Sequence, residues 1–381
     1  MARDEDWAAI ESLLPPRWRD LALMHGVRMK PRPELGAKLS DAGVLIRLIL
    51  HHACTSSSLK VTAALAAALG VADISAVALH KWMCKAGPWL SAMVSEMLQT
   101  AATFSPARWA GYEVIAVDAT TVQRPGATGT SARVHVALRL SDLRTVGAKI
   151  TSERVGETLR NFSMSRGQLW IADRGYSNTN SIAHAIAQEA EVLIRFAFGP
   201  LPLFDKKGDP LDVRAFVSKL ESAKAVRECS AWVHTDRGEA IEGRVVAIRL
   251  PPEKAEKARA RLKREKGSKI SADTLRLAQF VVLFTTVPAS RLTAPQLIEL
   301  YRLRWQIELG FKRDKSIAGL DRLPNFRDDT IQSWIAAKML GVQLARRLAE
   351  PAEPFPPSII GYYALRPSAS RLLAARSRVQ K

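Results

Sequence analysis

Residues 113–122, EVIAVDATTV, form a largely apolar run with Glu113 at its start and one acid in its interior, Asp118. Ten residues rich in Val, Ile and Thr are typical of a buried β-strand. Residues 168–176, QLWIADRGY, are built in the same way, because an apolar run leads directly into Asp173. These two segments predict buried strands that each carry a carboxylate at or near the end.

The segments around these strands predict an α/β fold. Turn sequences, PGATGTS and SDLR, separate three stretches that we predict as antiparallel strands, at 113–122, 133–140 and 146–152. Farther along we predict a strand at 168–172, a helix at 178–190, and strands at 192–198 and 280–287. The order strand, strand, strand, helix, strand, helix, strand is that of an RNase H-like core. Such a core places acids side by side at the ends of its first and fourth strands.

The segment before the first strand, residues 1–108, predicts an all-helical domain. Asp41 can cap the helix of AGVLIRLILHHA, a second helix stops at Gly70, and a third stops at Gly87-Pro88. Two helices joined by a short turn with glycine are compatible with a helix-turn-helix that binds DNA, and equally with any small helical bundle.

The remaining boundaries follow from changes in composition. We predict that residues 109–198 form the first part of the core and that residues 199–288 form a β-rich insertion with a basic helix between Lys254 and Lys269. Residues 289–350 are predicted to complete the core with the helix that carries Glu308. Residues 351–381 are a Pro-rich and then basic C-terminal tail.

Charge and size limit the classes of function. The 381 residues include 56 Lys and Arg against 37 Asp and Glu, a formal net charge of +19. Such an excess favours a polyanionic partner, with nucleic acid ahead of an anionic membrane, although a protein with a merely basic surface remains the alternative. No apolar run approaches the eighteen residues of a membrane span, and the N-terminus has no signal-peptide pattern.

The cysteines indicate a reducing compartment. Cys54, Cys84 and Cys229 are an odd number and lie far apart, so they predict no disulfide framework. Cys84 follows His80 by four residues, but no paired Cys-x-x-Cys motif is present. We therefore favour core or surface roles over zinc binding for these residues. The expected location is therefore a reducing cytoplasm.

The segment 295–315 combines a polar row with an apolar face. Pro295 begins a predicted helix that continues to about Lys315, on which Tyr301, Arg304, Glu308 and Lys315 lie along one stripe. A parallel apolar stripe can pack on the sheet, since it consists of Leu300, Leu303, Ile307 and Phe311. A core helix needs only the apolar stripe, so the polar row indicates a functional site.

The spacing of this row resembles a known signature. Tyr301, Arg304, Glu308 and Lys315 match, without a gap, the Tyr-Arg-Glu-Lys signature of DDE transposases of the insertion-sequence 4 family. DATT at Asp118 and DRGY at Asp173 are similar to the family's two other blocks, so the resemblance covers residues 110 to 320. One departure is that no Trp occupies the strand before the signature, where Phe280 is the nearest substitute.

The resemblance implies a role for each residue. Asp118, Asp173 and Glu308 would be the catalytic acids and would hold two Mg²⁺ ions, for which Mn²⁺ can substitute. Tyr301, Arg304 and Lys315 would bind the terminal phosphates and a displaced base. Further candidate DNA contacts are Arg174, Lys312, Phe280, Lys81 and Lys85.

The resemblance implies cut-and-paste DNA transposition by a homodimer on DNA, in the bacterial cytoplasm and in association with the nucleoid. The homodimer would cleave the inverted repeats at transposon ends and transfer the 3′-hydroxyl into target DNA. Two alternatives stay open, an RNase H-fold nuclease without strand transfer and a transposase-derived DNA-binding protein without catalysis. Individual residues also have simpler interpretations. Asp118 could cap a turn, Asp173 could belong to a turn in which Gly175 supplies a positive φ, and Trp305 is predicted to be core.

Overall fold

The computed structural model describes residues 1–28, 41–55, 57–102, 109–267, 270–321, 323 and 328–349. The first five helices are α1 (Asp4–Ser12), α2 (Trp18–Met24), α3 (Ala42–Thr55), α4 (Leu59–Ala68) and α5 (Ala76–Ala102). The later helices are α6 (Thr179–Ala187), α7 (Val213–Ser218), α8 (Pro252–Lys266), α9 (Ala272–Leu277), α10 (Ala294–Arg302), α11 (Trp305–Ala318) and α12 (Ile331–Ala349). The predicted tail, 351–381, lies outside the described residues.

A mostly antiparallel sheet organises the chain. Its strands are β1 (Glu113–Val122), β2 (Ala132–Arg139), β3 (Thr145–Ser152), β4 (Gln168–Ala172), β5 (Glu191–Arg195), β6 (Val226–His234), β7 (Ala240–Arg249) and β8 (Phe280–Thr285). Within the described residues they form one sheet in the order β3-β2-β1-β4-β5-β8-β7-β6. β4 runs parallel to β1 and to β5, and the other pairings are antiparallel. The mixed α/β class predicted from the sequence is confirmed.

Alternating side chains give the sheet two buried faces. Val114 and Ala116 point into a core formed with the N-terminal helices and with α10, α11 and α12. Ile115 and Val117 point into a second core, which α6 and α7 cover from the other side. The central strands are therefore buried on both faces, which explains why they read as continuous apolar runs. None of the described helices is long and apolar enough to cross a bilayer.

The N-terminal helices follow the predicted caps but not every predicted end. Asp41 Oδ1 accepts hydrogen bonds from the backbone N–H groups of Gly43 and Val44, at 2.5 and 3.0 Å, so it caps α3. The predicted stop at Gly87-Pro88 is wrong, because α5 continues through Pro88 to Ala102. Trp89, directly after this proline, is fully buried and donates from Nε1 to the Trp18 carbonyl at 2.9 Å. Burial on both sides of Pro88 outweighs the roughly 3 kcal/mol that an interior proline costs.

Two predicted helices near the acids also differ from the structure. Between β3 and β4, where the predicted order requires a helix, the structure has only a 3-10 turn at Leu159–Asn161. The predicted helix from Pro295 to Lys315 is divided into α10 and α11. Around Leu303 and Arg304 the backbone hydrogen bonds run from residue i to i−3, for example from the Arg304 N–H to the Tyr301 carbonyl at 3.1 Å. This tighter turn places Arg304 at the start of α11.

The segment 199–288 extends the sheet that contains β1. β6 and β7 pair along their whole length, and β7 adds to the edge of β8, which in turn pairs with β5. α12 packs on α5 and α3, so the helices at the two ends of the described chain share one core. The predicted division into domains stays a prediction.

Gly243 in β7 allows a close approach to β8, and this leads to a stability prediction. A Cβ at this position would lie 2.5 Å from Phe284 Cζ and 2.7 Å from the Thr285 carbonyl oxygen. Since the carbonyl is backbone, we expect Gly243→Ala to lower the free energy of unfolding by about 1–3 kcal/mol. Urea unfolding followed by circular dichroism measures the change. Gly156→Ala is the control, because no described residue beyond its two chain neighbours has an atom within 4 Å of the added Cβ. Equal stability of the two variants would contradict the prediction.

Candidate active site

The two aspartates lie at the same edge of the sheet. β1 and β4 pair in parallel, and their last registered pair is Ala116 with Ile171. Asp118 and Asp173 are each two residues farther along, so the strands deliver both carboxylates to neighbouring positions. Asp173 accepts a hydrogen bond at Oδ1 from the Gly175 backbone N–H, at 2.9 Å, and begins the 3-10 turn Arg174–Tyr176.

Asp118 is a mostly buried carboxylate, with 17% of its side chain exposed. Its Oδ1 accepts one hydrogen bond, from the Ala119 backbone N–H at 2.8 Å. The pKa of Asp118 is raised from 3.8 to about 6, mainly by burial and to a smaller extent by the charges of Asp173 and Glu308, while the Ala119 hydrogen bond and Arg304 oppose the shift. The raised pKa thus reflects mainly the burial of the Asp118 carboxylate, with a smaller contribution from the two neighbouring acids.

Arg304 joins the first and third acids. Its Nη1 lies 3.3 Å from Asp118 Oδ2, and its Nη2 lies 2.5 Å from Glu308 Oε1. The side chain of Arg304 is 16% exposed, whereas that of Glu308 is 50% exposed. Arg304 therefore bridges a carboxylate from β1 and one from α11, and Glu308 retains the freedom to turn toward the sheet.

Tyr301 completes the polar cluster on this helix pair. Its hydroxyl lies close enough to Arg304 that the guanidinium charge acts to lower its pKa, and its ring packs against the core on the α10 side. Burial is the main reason that the pKa of Tyr301 lies above 10, so its hydroxyl stays protonated at neutral pH. Tyr301 and Arg304 thus present hydrogen-bond donors beside the acids.

Two neighbouring residues were missed by the sequence analysis. Glu157, in the loop after β3, lies close enough to Asp118 and Asp173 that both carboxylates raise its pKa, after the larger effect of burial. Arg195 is the last residue of β5, next to β4, and its charge acts on Arg174 and Tyr301. Arg195 could have been predicted as a site residue, because it is a basic residue at the end of a buried strand. Glu157 could not, because it lies in a loop with no periodic pattern.

Gly175, two residues after Asp173, is needed because a side chain there would meet a neighbouring residue, and not because of its backbone angle. Gly175 has no positive φ, so the turn interpretation made from the sequence is wrong on that point. A Cβ at this position would lie 1.7 Å from Glu157 Oε2. The Glu157 carboxylate occupies the position that any larger side chain at 175 would need.

Not all of the predicted DNA contacts gather at this edge. Arg174 is exposed next to Asp173, and Lys315 is half-buried on α11 two helical turns beyond Glu308, with Lys312 exposed on the same helix. Phe280 begins β8 and is 5% exposed within the second core, so it offers no free ring face. Lys81 and Lys85 are exposed on α5, which belongs to the N-terminal helical layer.

Trp305 differs most from its predicted role. It was predicted to be core, but it is 49% exposed at the start of α11, beside Arg304. Leu309, one turn later, is 40% exposed. An exposed indole next to a cluster of acids and arginine is more typical of a ligand-binding surface than of packing.

The chemistry of the cluster suits a hard cation. Its ligating groups are carboxylates only, the donor type that Mg²⁺ and Mn²⁺ prefer. Arg304 lies between Asp118 and Glu308 and forms an ion pair with each, at 3.3 and 2.5 Å. Within the described residues, the ligand-type atoms that gather within 4.8 Å are instead those of His80, Cys84 and Asp329. Closing the acids around a metal therefore requires the exposed Glu308 side chain to leave Arg304.

Comparisons with known proteins agree with the site. Residues 109–341 match the family described as the transposase DDE domain, so the chain belongs to this family and is an enzyme that acts on DNA. It is similar to a protein of Escherichia coli strain K12 named as transposase InsL of insertion sequence element IS186A. The two are 30% identical over 366 residues, which cover 94% of this chain and 97% of that relative. The transposase for insertion sequence element IS421 of Escherichia coli is also 30% identical, over 367 residues with the same coverage.

Proposed function

We propose that this transposase cleaves the ends of its insertion sequence in a Mg²⁺-dependent reaction and transfers the freed 3′-hydroxyl into target DNA. The main support is the placement of Asp118 and Asp173 at adjacent ends of paired parallel strands, with Glu308 tied to the same point through Arg304. The relatives named as transposases of insertion sequences support the assignment to DNA transposition.

The finer classification belongs to the same proposal. An RNase H-like core is supported by the parallel pairing of the first and fourth strands, which sets their acids side by side. Membership of the insertion-sequence 4 family is supported by the spacing of Tyr301, Arg304, Glu308 and Lys315. We also propose that the transposase acts as a homodimer, because two transposon ends must be joined to one target. Its substrate would be nucleoid DNA in the cytoplasm.

The acids would act as a unit. Asp118, Asp173 and Glu308 would hold two Mg²⁺ ions, which when bound would activate the attacking oxygen and stabilise the leaving one. Asp118 and Asp173 are fixed by strands and by backbone hydrogen bonds, so they provide a rigid half of the site. Glu308, on a helix and half exposed, provides the half that adjusts.

The residues around the acids would position the DNA. Arg304 presents a planar fork suited to a phosphate, and Lys315 adds a point charge farther along α11. Trp305 is exposed beside Arg304, so we assign to it, and not to the buried Phe280, the stacking with an unpaired base. Arg174 and Arg195 extend the basic surface on the β5 side of Asp173.

Cleavage of the genuine transposon end tests the proposal. Purified protein is incubated with DNA that carries the flanking inverted repeats and with a target plasmid, with Mg²⁺ or with EDTA. We expect end cleavage and joined products with Mg²⁺ and neither with EDTA. Cleavage without joining would favour the nuclease alternative, and end binding without cleavage would favour the non-catalytic one. Cleavage that continues in EDTA would refute the metal-dependent mechanism.

The raised pKa of Asp118 predicts a pH dependence. A carboxylate must be ionised to bind a cation, and the pKa of Asp118 is about 6. Below pH 6 we therefore expect the cleavage rate at limiting Mg²⁺ to fall about tenfold per pH unit. Higher Mg²⁺ should move the midpoint to lower pH, since the ion competes with the proton. Single-turnover rates between pH 5 and 8 measure this, and a midpoint near 4 that ignores Mg²⁺ would contradict it.

A further inference from the structure

Glu157 is a half-buried carboxylate that the assigned chemistry does not use. Among the described residues, no hydrogen-bond donor contacts its side chain and no Lys, Arg or His lies within 4.0 Å of it. Its electrostatic neighbours include Asp173 and Asp118, which repel it, and the cations Arg133 and Arg304, which attract it more weakly. A partly buried charge without a partner is costly, so its position beside two more acids calls for a compensating cation.

The loop that carries Glu157 is fixed on both sides. Before it, the Val155 carbonyl accepts a hydrogen bond from Arg133 Nη1 on β2, at 3.2 Å. After it, Ser181 Oγ on α6 accepts a hydrogen bond from the Leu159 backbone N–H, at 3.1 Å, and Leu159 is fully buried. These anchors hold Glu157 at the sheet edge, although the loop contains no regular helix or strand.

The residues around the Glu157 carboxylate leave space for it beside Asp173. Gly175 leaves the space that Glu157 Oε2 fills, since a Cβ there would lie 1.7 Å from that oxygen. Nearby, Tyr176 is fully buried, and among the described residues nothing hydrogen-bonds to its hydroxyl. Its pKa is raised by burial and then by the charge of Glu157. The space next to Asp173 is thus occupied by a second acid from a different segment.

We propose that Glu157 is a fourth carboxylate of the metal-binding site, which binds, together with Asp173, one of the two divalent ions. This inference rests on the proposed function. It adds an acid from the loop between β3 and β4 to those from β1, β4 and α11. It also gives a reason for glycine at position 175, because a side chain there would displace the fourth ligand.

Metal binding without DNA tests the inference directly. Each protein is titrated with Mn²⁺, and the concentration of free Mn²⁺ is measured by electron paramagnetic resonance. The proteins compared are the wild type, Glu157→Gln, Glu157→Asp and Gly175→Ala. We expect two bound ions in the wild type and a loss of at least about tenfold in affinity for one of them in Glu157→Gln. Gly175→Ala should show the same loss, since its Cβ displaces the carboxylate, and Glu157→Asp should recover part of the affinity.

The matched control is Glu153→Gln, which removes the same charge from the same loop at a half-exposed side chain paired with Arg154. It should bind both ions as the wild type does. Thermal melting in EDTA establishes that each variant is folded; if Glu157→Gln does not fold, Gly175→Ala and Glu157→Asp decide. Unchanged Mn²⁺ affinity in the folded Glu157 and Gly175 variants would overturn the inference alone. A wild type that binds no Mn²⁺ and cleaves no ends would overturn the proposed function with it.

Discussion

Asp118→Asn should lower the rate of end cleavage at least about a thousand-fold and at the same time make the metal-free protein more stable. The rate falls because an amide binds a divalent ion poorly, and the ion supplies several kcal/mol of transition-state stabilisation. The stability rises because the ionised carboxylate of Asp118 is held in a mostly buried position near Asp173 and Glu308. An improvement in stability that abolishes activity is typical of a strained functional site.

The sign of the stability effect follows from linkage. The pKa of Asp118 is raised from 3.8 to about 6, so ionised Asp118 destabilises the folded state above pH 6 and has no such effect below pH 4. The difference corresponds to roughly 3 kcal/mol. Part of this is offset in the variant, since Arg304 loses a charged partner, and we expect a net gain of about 1–2 kcal/mol at pH 7. The gain should shrink as the pH falls from 6 to 4.

Thermal melting in EDTA at pH 7 and pH 4, together with single-turnover cleavage in Mg²⁺, measures both halves of this prediction. Asp236→Asn is the control, because Asp236 is exposed in the turn between β6 and β7. It should change neither the Tm nor the rate. A less stable Asp118→Asn variant, or one that retains cleavage, would show that the carboxylate has a structural role instead.

The strands that carry the aspartates were predictable because their signal is local. β1 and β4 have the bounds predicted from their apolar runs, and the other predicted strands agree to within three residues. A strand that is buried on both faces has apolar residues at successive positions, and turn residues mark its ends. The acids at 118 and 173 could therefore be placed at one sheet edge from the sequence.

The rest of the site depends on contacts between distant segments. The tight turn at Leu303 and Arg304 lies between two segments of good helical pattern, and Arg304 reaches a carboxylate 186 residues earlier in the chain. Glu157 has no periodic neighbours and is positioned by Arg133 and Ser181 from other elements. Trp305 is exposed because of where the second helix begins. None of these positions follows from propensity or from spacing alone.

Arg304→Ala should lower the cleavage rate at pH 7 about a hundred-fold and shift the pH midpoint of cleavage upward. Arg304 is the cation that contacts both Asp118 and Glu308, and its charge lowers the pKa of Asp118. Without it the pKa of Asp118 rises above about 6, so a higher pH is needed to ionise the site; an opposite charge at this distance is worth about 1 pH unit or more. The lost phosphate contact lowers the rate further.

The dependence on pH separates these two contributions. Arg304→Lys retains the positive charge but not the fork that spans two carboxylates, so it should keep a near-normal midpoint while recovering only part of the rate. Arg302→Ala, an exposed arginine two residues earlier on α10, is the matched control and should behave as the wild type. Rates measured from pH 5 to 9 at fixed Mg²⁺ give both quantities. If Arg304→Ala lost rate with no change in midpoint, Arg304 would act on the DNA alone, and the electrostatic link between α11 and β1 would have no part in setting the charge of the acids.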